Sequence, residues 1–244
     1  MEKTADPQEE TMRVRVGVES GIEGHSLAWA LDYPGCFAVG QDDSEAILRI
    51  PPALIAYAGR IEQHAARPWV TLGDFDIRLV ETCKVYTIDE NYERTGQGRE
   101  VGAWFQHDWK PLAPVEIERG LQLMRWNRED LLSITGSLPE EQLDRDHPGE
   151  DRSVRGILNH VADAEWWYLD RLGLAGVERR KGSPQVFDYL QAVRMNLEET
   201  LPSLAGEERV TGREGEFWSP RKLLRRVLWH EMDHIGHILK LLTA

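Results

Sequence analysis

The sequence predicts an α+β N-terminal unit of element order β-β-β-α-β, followed by an all-α four-helix bundle. Two observations carry this. In "MRVRVGVE" the apolar Met12, Val14, Val16 and Val18 alternate with Arg13, Arg15, Gly17 and Glu19, the period-two pattern of a half-buried strand, and strand formers recur as far as "FDIRLVETCKVYTI". From Pro114 onward that pattern gives way. Ile117, Leu121, Met124 and Leu131 recur at helical spacing, and Ser183-Pro184 and Ser219-Pro220 each set a capping serine before a proline suited to a helix's first turn.

Residues 1–10 read as a disordered tail and residues 11–88 as the α+β unit. After the first strand, "SLAWALDY" repeats the alternation through Leu27, Trp29 and Leu31, and Pro34-Gly35 punctuates the next short apolar piece. A helix is expected from Ser44. It is interrupted at Pro51-Pro52, because proline does not fit a helix interior, and resumes through "ALIAYAGRIEQH". Residues 89–112 show no periodicity and read as a linker whose Trp104, Phe105 and Trp109 dock on a domain. The four bundle helices fall within 113–244. The first carries Ile117 to Leu131, and the second follows the cap Ser153 through "VRGILNHVADAEWWYLDRL". The third is "QVFDYLQAVRMNLEETL" and the last is "RKLLRRVLWHEMDHIGHILKLL".

Composition narrows the function classes. A net charge of −13 argues against a nucleic-acid partner, since phosphate binding needs a basic surface. The one basic run, "RKLLRR" at Arg221–Arg226, is read as the solvated face of a helix. Two cysteines, Cys36 and Cys83, make no disulfide framework and are expected as free thiols. The acidic start lacks the features of a signal peptide, and no apolar run approaches the ~18 residues of a membrane span. The expectation is a cytoplasmic protein without membrane contact.

The chemistry concentrates in "WHEMDHIGHIL", which contains HExxH, two histidines one helical turn apart with a glutamate between them. At about 100° per residue, His234 lies about 40° and His237 about −20° from His230, so all three share one stripe with Leu223, Val227 and Leu241. Several buried imidazoles are costly unless each nitrogen is satisfied, and a divalent ion satisfies them together. His230 and His234 can reach one ion; His237, about 10 Å beyond His230 along the axis, is expected in the surrounding pocket. A zinc protease would take its third ligand downstream, where this chain offers none at the required spacing. Of the other histidines, His25, His64, His107 and His147 fall in the α+β unit, linker and loop. His160 alone shares a core-facing stripe, with Ile157, Ala164 and Trp167. The expected ligand set is His160, His230 and His234, a bundle-core site. Asp163, one turn after His160, either orients it or a bound water or is solvated. Glu231, about 100° off the stripe, could reach the site as a base only from its edge, and a surface or interhelix ion pair is the favoured reading. Trp166 and Trp167 read as core or pocket wall.

"ILNHVADAEWWYLDRL" and "VLWHEMDHIGHIL" resemble the DinB-like (YfiT-like) superfamily over residues 113–244, with His160, His230 and His234 at that family's three histidine positions. His237 stands where the family usually has glutamine. The resemblance implies a four-helix bundle binding zinc, nickel or a similar divalent ion. It also implies the chemistry of relatives that are thiol-dependent S-transferases or a maleylpyruvate isomerase, acting on small molecules with a low-molecular-weight thiol. "LDYPGCFAVGQDDSEAI", residues 31–47, resembles the HicB-like antitoxin fold; here a bundle follows in place of a DNA-binding module, so DNA binding is not carried over. The expected function is therefore metal-assisted thiol transfer or isomerisation. The alternatives are a metal-dependent hydrolase with Glu231 as base, and a stress-related or antitoxin-like binding protein with a structural metal. A homodimer is compatible with such a bundle.

Overall fold

A computed structural model describes residues 11–243, which fall into two compact units, the first ending at Phe105 and the second starting at Gln106. The tail expected at residues 1–10 lies outside the described residues. In the first unit, β1 (Met12–Ile22) and β2 (His25–Ala30) form a hairpin whose turn residues Glu23 and Gly24 both have positive φ, 47° and 82°, as the twist of a two-residue hairpin turn requires. β3 (Phe37–Gly40) follows, then α1 (Asp43–Leu48), α2 (Ile50–His64) and β4 (Phe75–Lys84). The sheet order is β3-β2-β1-β4, with β1 antiparallel to β2 and parallel to β4. A parallel pair needs a crossover, which α1 and α2 supply. The alternating Val14, Val16 and Val18 are fully buried.

The observed order has two helices where the sequence suggested one interrupted helix. Asp42 caps α1 by accepting the Glu45 N–H at 2.9 Å, and Pro51-Pro52 occupy the first turn of α2. The stretch read as a linker, 89–112, is partly sheet. β5 (Tyr86–Ile88), β6 (Arg94–Thr95) and β7 (Arg99–Val101) form a small sheet of order β6-β5-β7. Strands of two or three residues are too short to show a period. A 3-10 turn at Gln106–Trp109 then opens the second unit.

That unit contains four long helices: α3 (Pro114–Thr135), α5 (Val154–Arg171), α6 (Val186–Thr200) and α7 (Pro220–Thr243). A one-turn helix, α4 (Glu140–Leu143), lies between the first two. Their shared core includes Leu131, Ile157, Val161, Tyr189, Val193, Ile235 and Ile238. Two predicted helix starts are capped by their serines: the Gly156 N–H donates to Ser153 Oγ and the Lys222 N–H to Ser219 Oγ, each at 3.2 Å. The third starts later, at Val186, because Ser183 is buried and its carbonyl accepts the Asn159 side-chain amide at 3.2 Å. A hairpin not expected from the sequence, β8 (Thr211–Arg213) and β9 (Glu216–Trp218), turns at Glu214-Gly215 just before α7.

The basic run is also corrected. Arg221, Lys222, Arg225 and Arg226 are buried, not solvated. Arg221 pairs with Glu116 at 2.6 Å, Lys222 with Glu216 at 2.8 Å and Arg225 with Asp108 at 2.7 Å. The acids lie far from the run in sequence or in the missed hairpin, so the local pattern could not show the pairing. No helix among the described residues is long and apolar enough to cross a membrane.

A tight backbone approach in the first unit lies where β3 meets α1. A Cβ at Gly40 would fall 2.2 Å from the Ala46 backbone nitrogen. A backbone neighbour cannot rotate away, so Gly40→Ala is expected to destabilise the unit by about 1–3 kcal/mol. Urea unfolding followed by circular dichroism would check this; an unchanged midpoint would contradict the packing described.

Candidate metal centre

The structure brings three histidines from two helices together. His160 projects from α5, and His230 and His234 lie one turn apart on α7. His230 Nε2 is 3.2 Å from His160 Nε2 and 3.1 Å from His234 Nε2, and one nitrogen from each ring falls within 4.8 Å of the others. A proton on His230 Nε2 can be shared with only one of its two neighbours, leaving the other pair of nitrogens facing without a proton. A divalent ion meets all three lone pairs at once. Nitrogens 2.0–2.1 Å from a tetrahedral zinc are roughly 3.3 Å apart, close to both contacts. His234 Nδ1 is buried without a hydrogen-bond partner among the described residues, so its proton is not already committed to a protein acceptor. The donor set therefore fits such an ion.

Electrostatics keep these rings in the ligating form. Burial, then the neighbouring His234 and His160, then Arg226 and Arg152, push the His230 pKa well below 6.5. Burial, His160, His237 and Arg152 lower His234 to about 3. Burial and Arg152 lower His160 against the opposing charge of Asp163. All three are neutral near pH 7. An aromatic wall backs the cluster: Tyr168 meets the His230 ring edge-on at 6.0 Å, and Trp218 packs on Tyr168 at 5.3 Å.

The other predicted residues lie elsewhere. His237 stays outside the nitrogen cluster, its ring 6.1 Å from that of His234, and its Nε2 lies 2.8 Å from a Glu150 carboxylate oxygen. Asp163 accepts from the Tyr189 hydroxyl at 3.0 Å and Arg179 Nε at 3.3 Å rather than from His160. Trp167 packs edge-on against Trp218 at 5.1 Å under the Arg171 guanidinium, and Trp166 donates to the Val177 carbonyl at 2.8 Å. Cys36, in the first unit, is buried, and burial pushes its thiol up to about 12, so it is no reactive thiolate.

Of the readings of Glu231, the structure shows the interhelix ion pair and not the base. The residue is buried on the side of α7 facing the other helices, where its carboxylate accepts from Arg128 Nε and Arg194 Nη2, both at 2.7 Å. The two arginines also hold Glu165, Arg128 at 2.8 Å and Arg194 through two contacts. Their remaining donors reach the carbonyls of Leu190 at 2.9 Å and Met124 at 2.7 Å. The result is a closed ring with one member from each long helix: Arg128 on α3, Glu165 on α5, Arg194 on α6 and Glu231 on α7. Burial alone would raise the Glu231 carboxyl, but the two guanidinium groups overcome this and hold it below its usual value. Such a carboxylate has neither access nor basicity. The sequence reading missed Glu165, Arg128 and Arg194. The available signal was placement on apolar stripes, Arg128 with Met124 and Leu131, Arg194 with Leu190 and Leu197.

Comparison with known families places a match to the DinB superfamily at residues 123–238, within the helical unit and including all three histidines. The helical unit is DinB-like. No curated protein matches the chain.

Removing one carboxylate of the ring leaves two buried guanidinium groups short of charge. Glu231→Gln is expected to lower stability by about 3–5 kcal/mol. The pH dependence follows two rules of one sign. Glu231, depressed in the fold, contributes fully above the ordinary carboxylate range, and that contribution is lost as pH falls through its folded value. The three histidines, also depressed, let the unfolded chain bind protons that the fold excludes between about 3, for His234, and 6.5. Metal-free protein should therefore gain stability as pH rises through that window. Denaturant melts at several pH values check both; a flat profile from pH 4 to 7 contradicts the histidine rule, and no further loss below the ordinary carboxylate value of 4.5 contradicts the Glu231 rule.

Proposed function

We propose, taking the DinB-like identity of the helical unit as premise, that this unit is a four-helix bundle holding one divalent cation on His160, His230 and His234 and serving thiol-dependent group transfer or isomerisation. The observation that carries the reading is the convergence of three neutral imidazole nitrogens from α5 and α7. Zinc or nickel suits such donors. Among the described residues only three ligand groups converge, whereas a structural zinc is closed by four protein ligands. This favours a site with an open position for substrate over a purely structural one.

When bound, the ion would supply Lewis acidity that lowers a thiol's pKa, so that thiolate is present near neutral pH. The protein's own residues do the rest. The histidines stay unprotonated because burial and nearby arginines disfavour their cations. Tyr168 and Trp218 keep water from the His230 side. The buried ring through Glu165 and Glu231 holds α5 against α7, and so His160 against His230. A hydrolase with Glu231 as base has no support, since that carboxylate is held in the core. For the first unit, the HicB-like reading rests on its strand order and on the turn in which the Cys36 N–H donates to the Tyr33 carbonyl at 2.8 Å.

Protein purified without a histidine tag or added metal should carry about one ion per chain, lost in His160→Ala and in His230→Ala. Zinc at a hundredfold excess over its dissociation constant should stabilise metal-free wild type by about 2.7 kcal/mol. Elemental analysis and thermal melts check this. Metal-free isolates whose melting does not respond to zinc or nickel would sink the proposal.

A further inference from the structure

We infer that the outer edge of β4 is a self-association surface, on which β4 of a second copy of this chain pairs antiparallel about a two-fold axis between Leu79 and Val80. β4 lies at one edge of the first unit's main sheet, and among the described residues β1 is its one partner strand. The other edge, β3, is only four residues long and is abutted by α1 at Gly40. β4 has ten residues and no proline. Leu79 and Val80, at its middle, are 51% and 50% exposed, and Arg78, Thr82 and Lys84 are exposed beside them. A long open edge carrying apolar side chains is a template for a further strand. Charge favours a second copy as that strand. Asp76 and Glu81 balance Arg78 and Lys84, so β4 is a neutral strip in a chain of net charge −13, where two copies can meet with least repulsion.

The register with β1 decides which residues can face one another. Ile77 and Leu79 lie beside Val14 and Val16, and Thr82 and Lys84 beside Val18 and Ser20, on the sheet face of the buried valines. Asp76 and Arg78 lie beside Arg13 and Arg15, and Glu81 and Cys83 beside Gly17 and Glu19, on the other face. Val80 is the extra residue of a bulge, which is why Arg78 and Glu81, three apart, share a face. With the axis between Leu79 and Val80 the bulge falls on the axis, and all ten residues pair. Every pair outside the bulge then joins residues of one face: Ile77 opposite Thr82, Asp76 opposite Cys83, and Arg78 opposite Glu81 on both sides of the axis. Opposite charges placed so stabilise a strand pair, and like charges destabilise it. A slip of one residue sets residues of opposite faces together, and a slip of two sets Asp76 against Glu81 or Arg78 against Cys83. Arg78, which pairs with Asp76 at 2.8 Å within one copy, gains a second carboxylate across the axis. The pairing joins two four-stranded sheets into one.

The test is sedimentation equilibrium of the full chain at micromolar concentration, where wild type should associate. Arg78→Glu and Leu79→Lys, both at exposed positions, should each raise the dissociation constant roughly tenfold or more. Glu81→Arg should do the same by itself. An equal mixture of Arg78→Glu and Glu81→Arg proteins should associate again, because each variant then meets the opposite charge across the axis. A folding defect in either variant cannot produce that recovery. A wild type that stays monomeric overturns the inference. So does an assembly whose affinity neither Arg78→Glu nor Leu79→Lys changes, since its interface then lies elsewhere. Failure of the two charge variants, each folded by circular dichroism, to associate on mixing overturns the proposed register and the inference with it.

Discussion

The helical unit depends on one buried ring of charge. Arg128, Glu165, Arg194 and Glu231 come from four different helices, and each arginine contacts both carboxylates. Taking four charges out of water is expensive, and replacing such a cluster with apolar residues is often neutral or stabilising elsewhere. Its effect here is better understood as registry. Apolar side chains tolerate a small slide of one helix along another, whereas a guanidinium bridging two carboxylates does not. Glu231 follows His230 directly, and Glu165 lies five residues after His160, so the register the ring imposes is the register the histidines need. The glutamate of the HExxH string thus works about 100° round its helix from the histidines, away from the chemistry that string usually signals.

The same segment shows how a very acidic chain manages its cations. Arg221, Lys222 and Arg225 all turn inward onto Glu116, Glu216 and Asp108. Lys222 is fully buried, and burial brings its pKa down to about 8 despite the Glu216 carboxylate. These pairs tie the start of α7 to α3, to the preceding hairpin and to the turn before α3. The end of α7 is left to carry histidines. One helix therefore has a structural half built on paired charges and a chemical half built on neutral imidazoles.

Much of this was legible in the sequence. The period-two valines of β1, the proline restart at Ile50 and the caps Ser153 and Ser219 are local signals, and local backbone energetics decide them. The grouping of His160 with His230 and His234 was legible because helical periodicity puts each on an apolar stripe, where an imidazole needs a partner. What the sequence did not reveal depends on partners distant along the chain. The "RKLLRR" run looks solvated until Glu116 and Asp108 are brought to it. For Glu231 an ion pair was already favoured over a base, but whether it lay on the surface or between helices could not be told without Arg128 and Arg194. The β8–β9 hairpin and the strands at 86–101 were too short to show any period.

The three-histidine centre is tested most directly by diffraction at a metal absorption edge, using crystals of protein purified without added metal. An anomalous peak about 2.0–2.1 Å from Nε2 of His160, His230 and His234 is the predicted result. An ion bound elsewhere, or the three rings arranged around ordered water after soaking in zinc or nickel, would contradict it.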